Sequence, residues 1–323
     1  MPKSMSFAIL EAIQGEMQRD PKLTLLYEYQ RPSAAWNERR INLESEFGRP
    51  RVQFCAIDEH WIVGGALGMS MIGVPAIAHI PSMATFIAFE LMFNHAGKLR
   101  HMTGGQASFP MVLWADMARR DPYQGGQHAD AGLESAYARL AGLKVVIPST
   151  PYDAKGLMVS AIRDVDPVVF CHYSMPASGP EVPDEPYTVP IGEAAVRSEG
   201  QDLTIVGYAP QTAEIAKAVE QLEQDGSSAE FIDPRTLAPL EGVMGPIVAS
   251  VKKTGRLLTT DEGSYSFCNG AEIIARVAEA VPGVKIKRLA FPDAPAPGAP
   301  EMIDYMKVDA AKIAAAARTL VRA

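Results

Sequence analysis

The feature that most constrains this chain is an alternation that runs almost end to end. Short, uninterrupted apolar runs are separated by stretches with helical spacing. Leu23–Tyr27, Val52–Ala56, Val74–Ile80, Met111–Trp114, Lys144–Pro148 and Val168–Cys171 read as strands. Ser6–Arg19, Ile62–Met71, Thr85–His101, Leu133–Leu140 and Pro151–Arg163 read as helices. Strands apolar on both faces and joined through helices make an α/β domain with a mainly parallel sheet. The alternation breaks once, between Ser174 and Ile191, where five prolines and few core positions mark a linker. It then resumes with strands at Leu203–Tyr208, Ala229–Ile232, Arg256–Thr260 and Val284–Leu289. Helices there cover Gln211–Gln224, Leu240–Lys252, Gly270–Ala280 and Val308–Val321. Pro292–Pro300, with four prolines, is expected to be an extended surface segment. The pattern predicts two doubly wound α/β domains, residues 1–175 and 191–323, joined by a linker over 176–190.

The 323 residues suit two domains, and 47% hydrophobic residues give each a core. A net charge of −8 argues against nucleic acid, which is held by clustered basic charge. The N-terminus lacks the apolar core of a signal peptide. The longest apolar stretch, Ile62–Ile80, is broken by four glycines, a proline and a histidine, so no membrane span is expected. Three cysteines, far apart and odd in number, suit a reducing cytoplasm.

One segment carries chemistry on its face. Asp58 and Glu59 stand ahead of the apolar, small-residue run Trp61–Leu67. That run reads as a buried helix whose glycines let another backbone come close. A glutamate at such a helix mouth either suits the helix dipole or handles a proton. Segments Asp58–Gly64, Asn94–Gly105, Gly142–Leu157, Asp233–Leu240 and Thr254–Leu258, in this order, resemble the beta subunit of the thiamine-diphosphate decarboxylase component of 2-oxoacid dehydrogenase complexes. The wider group is the transketolase-like enzymes.

The resemblance implies a pyrimidine-binding domain followed by a transketolase C-terminal domain. It also implies a missing half. In this family the diphosphate and its Mg2+ are held by a Gly-Asp-Gly motif that this chain lacks. An alpha subunit is therefore expected to complete the enzyme as an α2β2 heterotetramer acting on a small-molecule substrate, with a lipoyl-bearing acyltransferase as a further partner.

Glu59 matches the family glutamate that bonds a ring nitrogen of the aminopyrimidine. Ile57, Phe86 and Phe89 are the further cofactor-binding candidates, Phe86 as an aromatic stack; Phe86 and Phe89 are three apart on one helical face. His128, in the Gly-rich stretch Tyr123–Asp130, matches an active-site loop of the family, where a further histidine assists transfer to a lipoyl arm. Here that position reads Ala129-Asp130. His60, directly after the glutamate, departs from the family pattern and is a third catalytic candidate. Asp261-Glu262 stands where family members often have His-Glu. Ala161, Ile162, Asp164 and Asp166 fall where the family can bind K+ through backbone carbonyls. Asp233 and Arg235 look like a structural pair.

Three functions compete on these residues. The first is decarboxylation of a 2-oxo acid with acyl transfer. The second is non-lipoyl cleavage or carboligation of acyloins or diketones. The third is a catalytically degenerate scaffold subunit.

Overall fold

The computed structural model describes residues 3–28, 41–81, 85–117 and 132–322. They divide into two compact units. The first takes the described residues up to Met117 together with Tyr137–Ile191. The second takes residues 132–136 and those from Gly192 onward.

In the first unit six strands, β1 (Thr24–Tyr27), β2 (Val52–Phe54), β3 (Ala76–Pro81), β4 (Met111–Met117), β5 (Lys144–Val146) and β6 (Val168–Tyr173), lie in the order β5-β6-β4-β3-β1-β2. All five pairings are parallel. Each strand therefore ends on the same edge, where doubly wound folds place their chemistry. Nearly every residue of β1, β3, β4 and β6 is buried, as the uninterrupted apolar runs require.

The helices begin where the sequence carries capping residues. Ser4 caps α1 (Met5–Arg19), Asp58 caps α2 (Glu59–Met71), and Thr150 caps α3 (Pro151–Arg163), with Pro151 in the first turn. Each such cap stabilises its helix by about 1 kcal/mol. α1 packs on α3. The Arg163 guanidinium meets the buried Glu16 carboxylate at 2.6 Å, and the buried Lys155 ammonium meets Glu11 at 2.8 Å. Gly142, at φ +90°, lies so close to the carbonyl of Gly97 that no side chain fits between them.

Within the run Trp61–Leu67, Gly64 faces the Leu91 side chain and Gly65 the Leu26 side chain. Two expectations need correction here. Trp61, expected in the core, is 53% exposed. The helix expected over Thr85–His101 is also not regular. A π-helical turn at Leu91–Ala96 precedes a short α-helix, Gly97–Met102.

In the second unit β7 (Ala195–Ser198), β8 (Leu203–Gly207) and β9 (Ala229–Asp233) are followed by a short strand β10 (Thr236–Ala238), then β11 (Arg256–Ser264) and β12 (Lys285–Phe291). Five of these form a sheet in the order β12-β11-β8-β9-β7, parallel except for β7 against β9. Alternate residues feed two cores. Leu203, Ile205 and Phe231 pack against α4 (Thr212–Gln224) and the closing helix α7 (Ala310–Arg322). Val206, Ile232 and Leu257 pack against α5 (Glu241–Thr254) and α6 (Asn269–Ala280). The extended reading of Pro292–Pro300 stops at its last residue, which begins a helix, Pro300–Met306. Asp233 pairs with Arg197 at 2.7 Å and accepts from the Arg235 amide at 3.0 Å, as the expected structural pair requires, while the Arg235 guanidinium bonds the Glu193 carbonyl at 3.0 Å.

Candidate active site

Glu59 is the first residue of α2, half-buried, with Asp58 turned inward to accept from the Trp61 amide at 3.0 Å. Asp58 thus satisfies the helix start and leaves the Glu59 carboxyl for other work. A second carboxyl belongs to the same edge. Glu28 follows β1 directly and is 4% exposed, and its Oε2 has no partner among the described residues. Burial, and then the charge of neighbouring Glu59, push Glu28 up to about 7. A glutamate ending an apolar strand was legible in the sequence, but nothing in the sequence showed that it would be buried beside Glu59.

His60 is exposed, and its Nδ1 lies 3.4 Å from the Ile87 carbonyl. That contact brings the segment carrying Phe86 to the start of α2. Phe86, 46% exposed, stacks on Phe89 at 5.5 Å, and Phe89 in turn meets Phe93 and Tyr137. The Tyr137 hydroxyl donates to the Thr85 carbonyl at 2.8 Å. Ile57 is exposed just ahead of the cap. The structure thus gathers Ile57, Glu59, His60 and Phe86 around one helix mouth, with Phe89 beneath Phe86. His128 lies outside the described residues.

Farther along the same edge lies a cluster that the spacing of the histidines did not reveal. Asp116, at the end of β4, accepts from His79 Nε2 of β3 at 2.9 Å and from His172 Nδ1 of β6 at 2.6 Å. His79 lies against the Trp114 ring at 3.9 Å. Burial opposes charge on Asp116, but the two histidines, His79 foremost, outweigh it and hold the carboxyl well below the usual carboxylate range. The outer nitrogens, His79 Nδ1 and His172 Nε2, are buried without partners among the described residues.

The expected cation segment is already neutralised at its side chains. Lys144 Nζ bonds Asp164 at 2.7 and 2.8 Å and Asp166 at 3.3 Å, and Arg100 meets Asp166 at 3.0 Å. The Ala161 carbonyl accepts from the Asp164 amide. Among the described residues, no group of three or more His, Cys, Asp or Glu side chains is arranged to hold a metal ion, and no helix is long and apolar enough to cross a membrane.

In the second unit, Asp261 is fully buried. It accepts from the Tyr208 hydroxyl at 2.5 Å, from the Gly263 amide at 2.8 Å and from the Gly270 amide at 3.4 Å. Burial raises its pKa despite these bonds. The carboxyl is enclosed by its own unit rather than presented for chemistry.

Two family models match the chain: the transketolase pyrimidine-binding domain over residues 2–174 and the transketolase C-terminal domain over 192–313. The chain belongs to the transketolase-like family. Its relatives within that family are beta subunits. It is 36% identical to the acetoin:2,6-dichlorophenolindophenol oxidoreductase subunit beta of Cupriavidus necator, covering 99% of this chain and 97% of that one. It is 36% identical to the 2-oxoisovalerate dehydrogenase subunit beta of Bacillus subtilis, covering 97% of each. It is 37% identical to the pyruvate dehydrogenase E1 component subunit beta of the same organism, over 85% of this chain and 84% of that one. A solved structure of a split-gene transketolase, an inactive beta4 tetramer, superposes with a TM-score of 0.81 at 21% identity, covering 99% of this chain and 98% of that one. The transketolase-like assignment made on five sequence segments therefore holds, as does the two-domain α/β fold.

Proposed function

We propose that this chain is the beta subunit of a heteromeric thiamine-diphosphate enzyme that decarboxylates a 2-oxo acid and passes the acyl group on. The observation that carries the reading is the helix mouth of α2, where a carboxyl freed from capping duty stands beside a second, buried one. These residues fit an aminopyrimidine. Glu59 offers a carboxyl to a ring nitrogen, and the exposed rings and methyls of Phe86 and Ile57 offer it apolar surface. Bound there, thiamine diphosphate supplies an acidic thiazolium carbon able to hold an acyl fragment. Glu59 holds the proton on the pyrimidine nitrogen. Glu28, pushed up to about 7 by burial and the charge of Glu59, would be the second carboxyl beside that nitrogen. The diphosphate and Mg2+ fall to the alpha partner in an α2β2 assembly. Any K+ is left with carbonyls of the 161–166 segment, because Lys144 and Arg100 neutralise its carboxylates.

Similarity to an acetoin oxidoreductase subunit supports the second reading, cleavage of acyloins. It is joined by the enclosure of Asp261 at a position where the resemblance expects histidine. Purification with its partner, followed by assay with thiamine diphosphate, Mg2+, a dye acceptor and a panel of 2-oxo acids and acyloins, chooses between them. Glu59→Ala is expected to lower kcat at least 100-fold in the assembled complex. Turnover that survives the substitution overturns both readings.

A further inference from the structure

We propose that Tyr137 is a positioning residue for the cofactor. It fixes the height and tilt of Phe86 against the head of α2 through one main-chain bond and one ring contact. The proposal rests on the reading above, in which Phe86 stacks on the aminopyrimidine.

Phe86 is carried by the short stretch Thr85–Phe86. This is a single tight turn leading into a helix that is itself irregular, since a π-helical turn follows at Leu91–Ala96. Two side chains from elsewhere in the same unit bond its main chain. On one side the Tyr137 hydroxyl donates to the Thr85 carbonyl at 2.8 Å, a buried bond across 52 residues of sequence. On the other, His60 Nδ1 reaches toward the Ile87 carbonyl at 3.4 Å. Phe86 lies between the two carbonyls so held.

The ring contacts add the tilt. Phe86 lies on Phe89 with centroids 5.5 Å apart and planes at 25°, and Phe89 rests edge-on against Tyr137 at 5.3 Å and 58°. Tyr137 is 2% exposed, and burial holds its hydroxyl well above the usual tyrosine range, so it stays a donor at every working pH. A phenol in that state has one hydrogen to give, and the Thr85 carbonyl takes it. The half of Phe86 that remains exposed is thus presented by a chain of fixed contacts from Tyr137 to Thr85 and from Tyr137 through Phe89.

Tyr137 itself touches no reacting atom, so its effect falls on cofactor binding and not on the chemical step. In the complex with the partner subunit, Tyr137→Phe keeps the ring and removes the bond. The dissociation constant for thiamine diphosphate is expected to rise about 5-fold, the ratio that follows from losing one typical net hydrogen bond. At saturating cofactor kcat stays at the wild-type value. The binding readout is the fluorescence of Trp61, half-exposed in the first turn of α2 beside Glu59. Phe86→Ala, measured in the same way, tests the underlying reading.

A loosened constant in Phe86→Ala with a wild-type constant in Tyr137→Phe overturns the proposal. So does a fall in kcat that saturating cofactor does not restore. A wild-type constant in Phe86→Ala overturns the cofactor stack itself. If Tyr137→Phe does not assemble, Phe89→Leu removes the ring half of the same brace. It is then expected to weaken cofactor binding and to speed amide hydrogen exchange over residues 85–96, and an unchanged exchange rate overturns the proposal equally.

Discussion

At the edge of the first sheet Glu28 is buried with one oxygen lacking a partner among the described residues. At the edge of the second, Asp261 is buried with a donor on each oxygen. Both are raised by burial, but their surroundings differ in kind. Asp261 is enclosed by a tyrosine hydroxyl and two backbone amides of its own unit, an arrangement that ties β11 to the residues after β8. Glu28 has one charged neighbour, Glu59, and it repels. Asp116 is the third case. It stands on the same edge as Glu28, and two imidazoles hold it ionised. Burial alone therefore does not identify a working carboxyl; the number of donors it meets does. Among the described residues, the edge of the first unit is left with unmet polar valences on titratable groups, Glu28, His79 and His172; the second encloses its aspartate and leaves only neutral groups unmet nearby in sequence, Gln211, Thr259 and Thr260.

The difference can be broken from either side. The largest effect is expected at Asp261. Asp261→Ala leaves the Tyr208 hydroxyl and two amides buried without an acceptor, which costs about 3 kcal/mol or more in chemical denaturation. A loss below about 1 kcal/mol would mean the enclosure is incidental. Next comes Asp116→Asn, which keeps the shape and removes the charge between the two histidines. It should cost about 2 kcal/mol, the size of one charge-assisted hydrogen bond, read from the same denaturation curves.

At Glu28 the effect is absent at low pH and appears only as a pH dependence. Its folded value of about 7 lies above the ordinary 4.5, so the protonated form belongs to the fold. Stability from this group is held below about pH 4.5 and lost as pH rises through 7. Glu28→Gln should leave Tm unchanged at pH 4.5 and raise it relative to wild type at pH 8. Parallel Tm–pH curves for the two proteins would remove Glu28 from the comparison.

The fold was largely legible because its strands are buried on both faces, and such strands leave an unbroken apolar signature. Helix starts read at Ser6, Ile62 and Pro151 fall at Met5, Glu59 and Pro151 in the structure, the second missed by three residues. The pieces that escaped have no such signature. The edge strand Ala195–Ser198 is half-exposed, and Leu43–Phe47 is a single helical turn. At the site, Glu59 was legible because it sits in a local run. The His79–Asp116–His172 cluster and the Glu28–Glu59 pair were not, because each is assembled by sheet order. β1 and β2 are neighbours although a helix separates them in sequence, and β4 lies between β3 and β6 only once the crossovers are made. Tyr137 was hidden for the same reason.

The π-helical turn at Leu91–Ala96 has a consequence for how this gene can change. A turn wound with one residue too many stores slack, since each π-helical turn holds about one residue more than the α-helical turn it replaces. Loss of a single codon within this turn would return it to ordinary winding and leave Phe86 and Lys98 in their places. The same deletion one turn later, in Gly97–Met102, would rotate everything beyond it by about 100°. Tolerance to shortening is thus concentrated in six residues of an otherwise unforgiving helix.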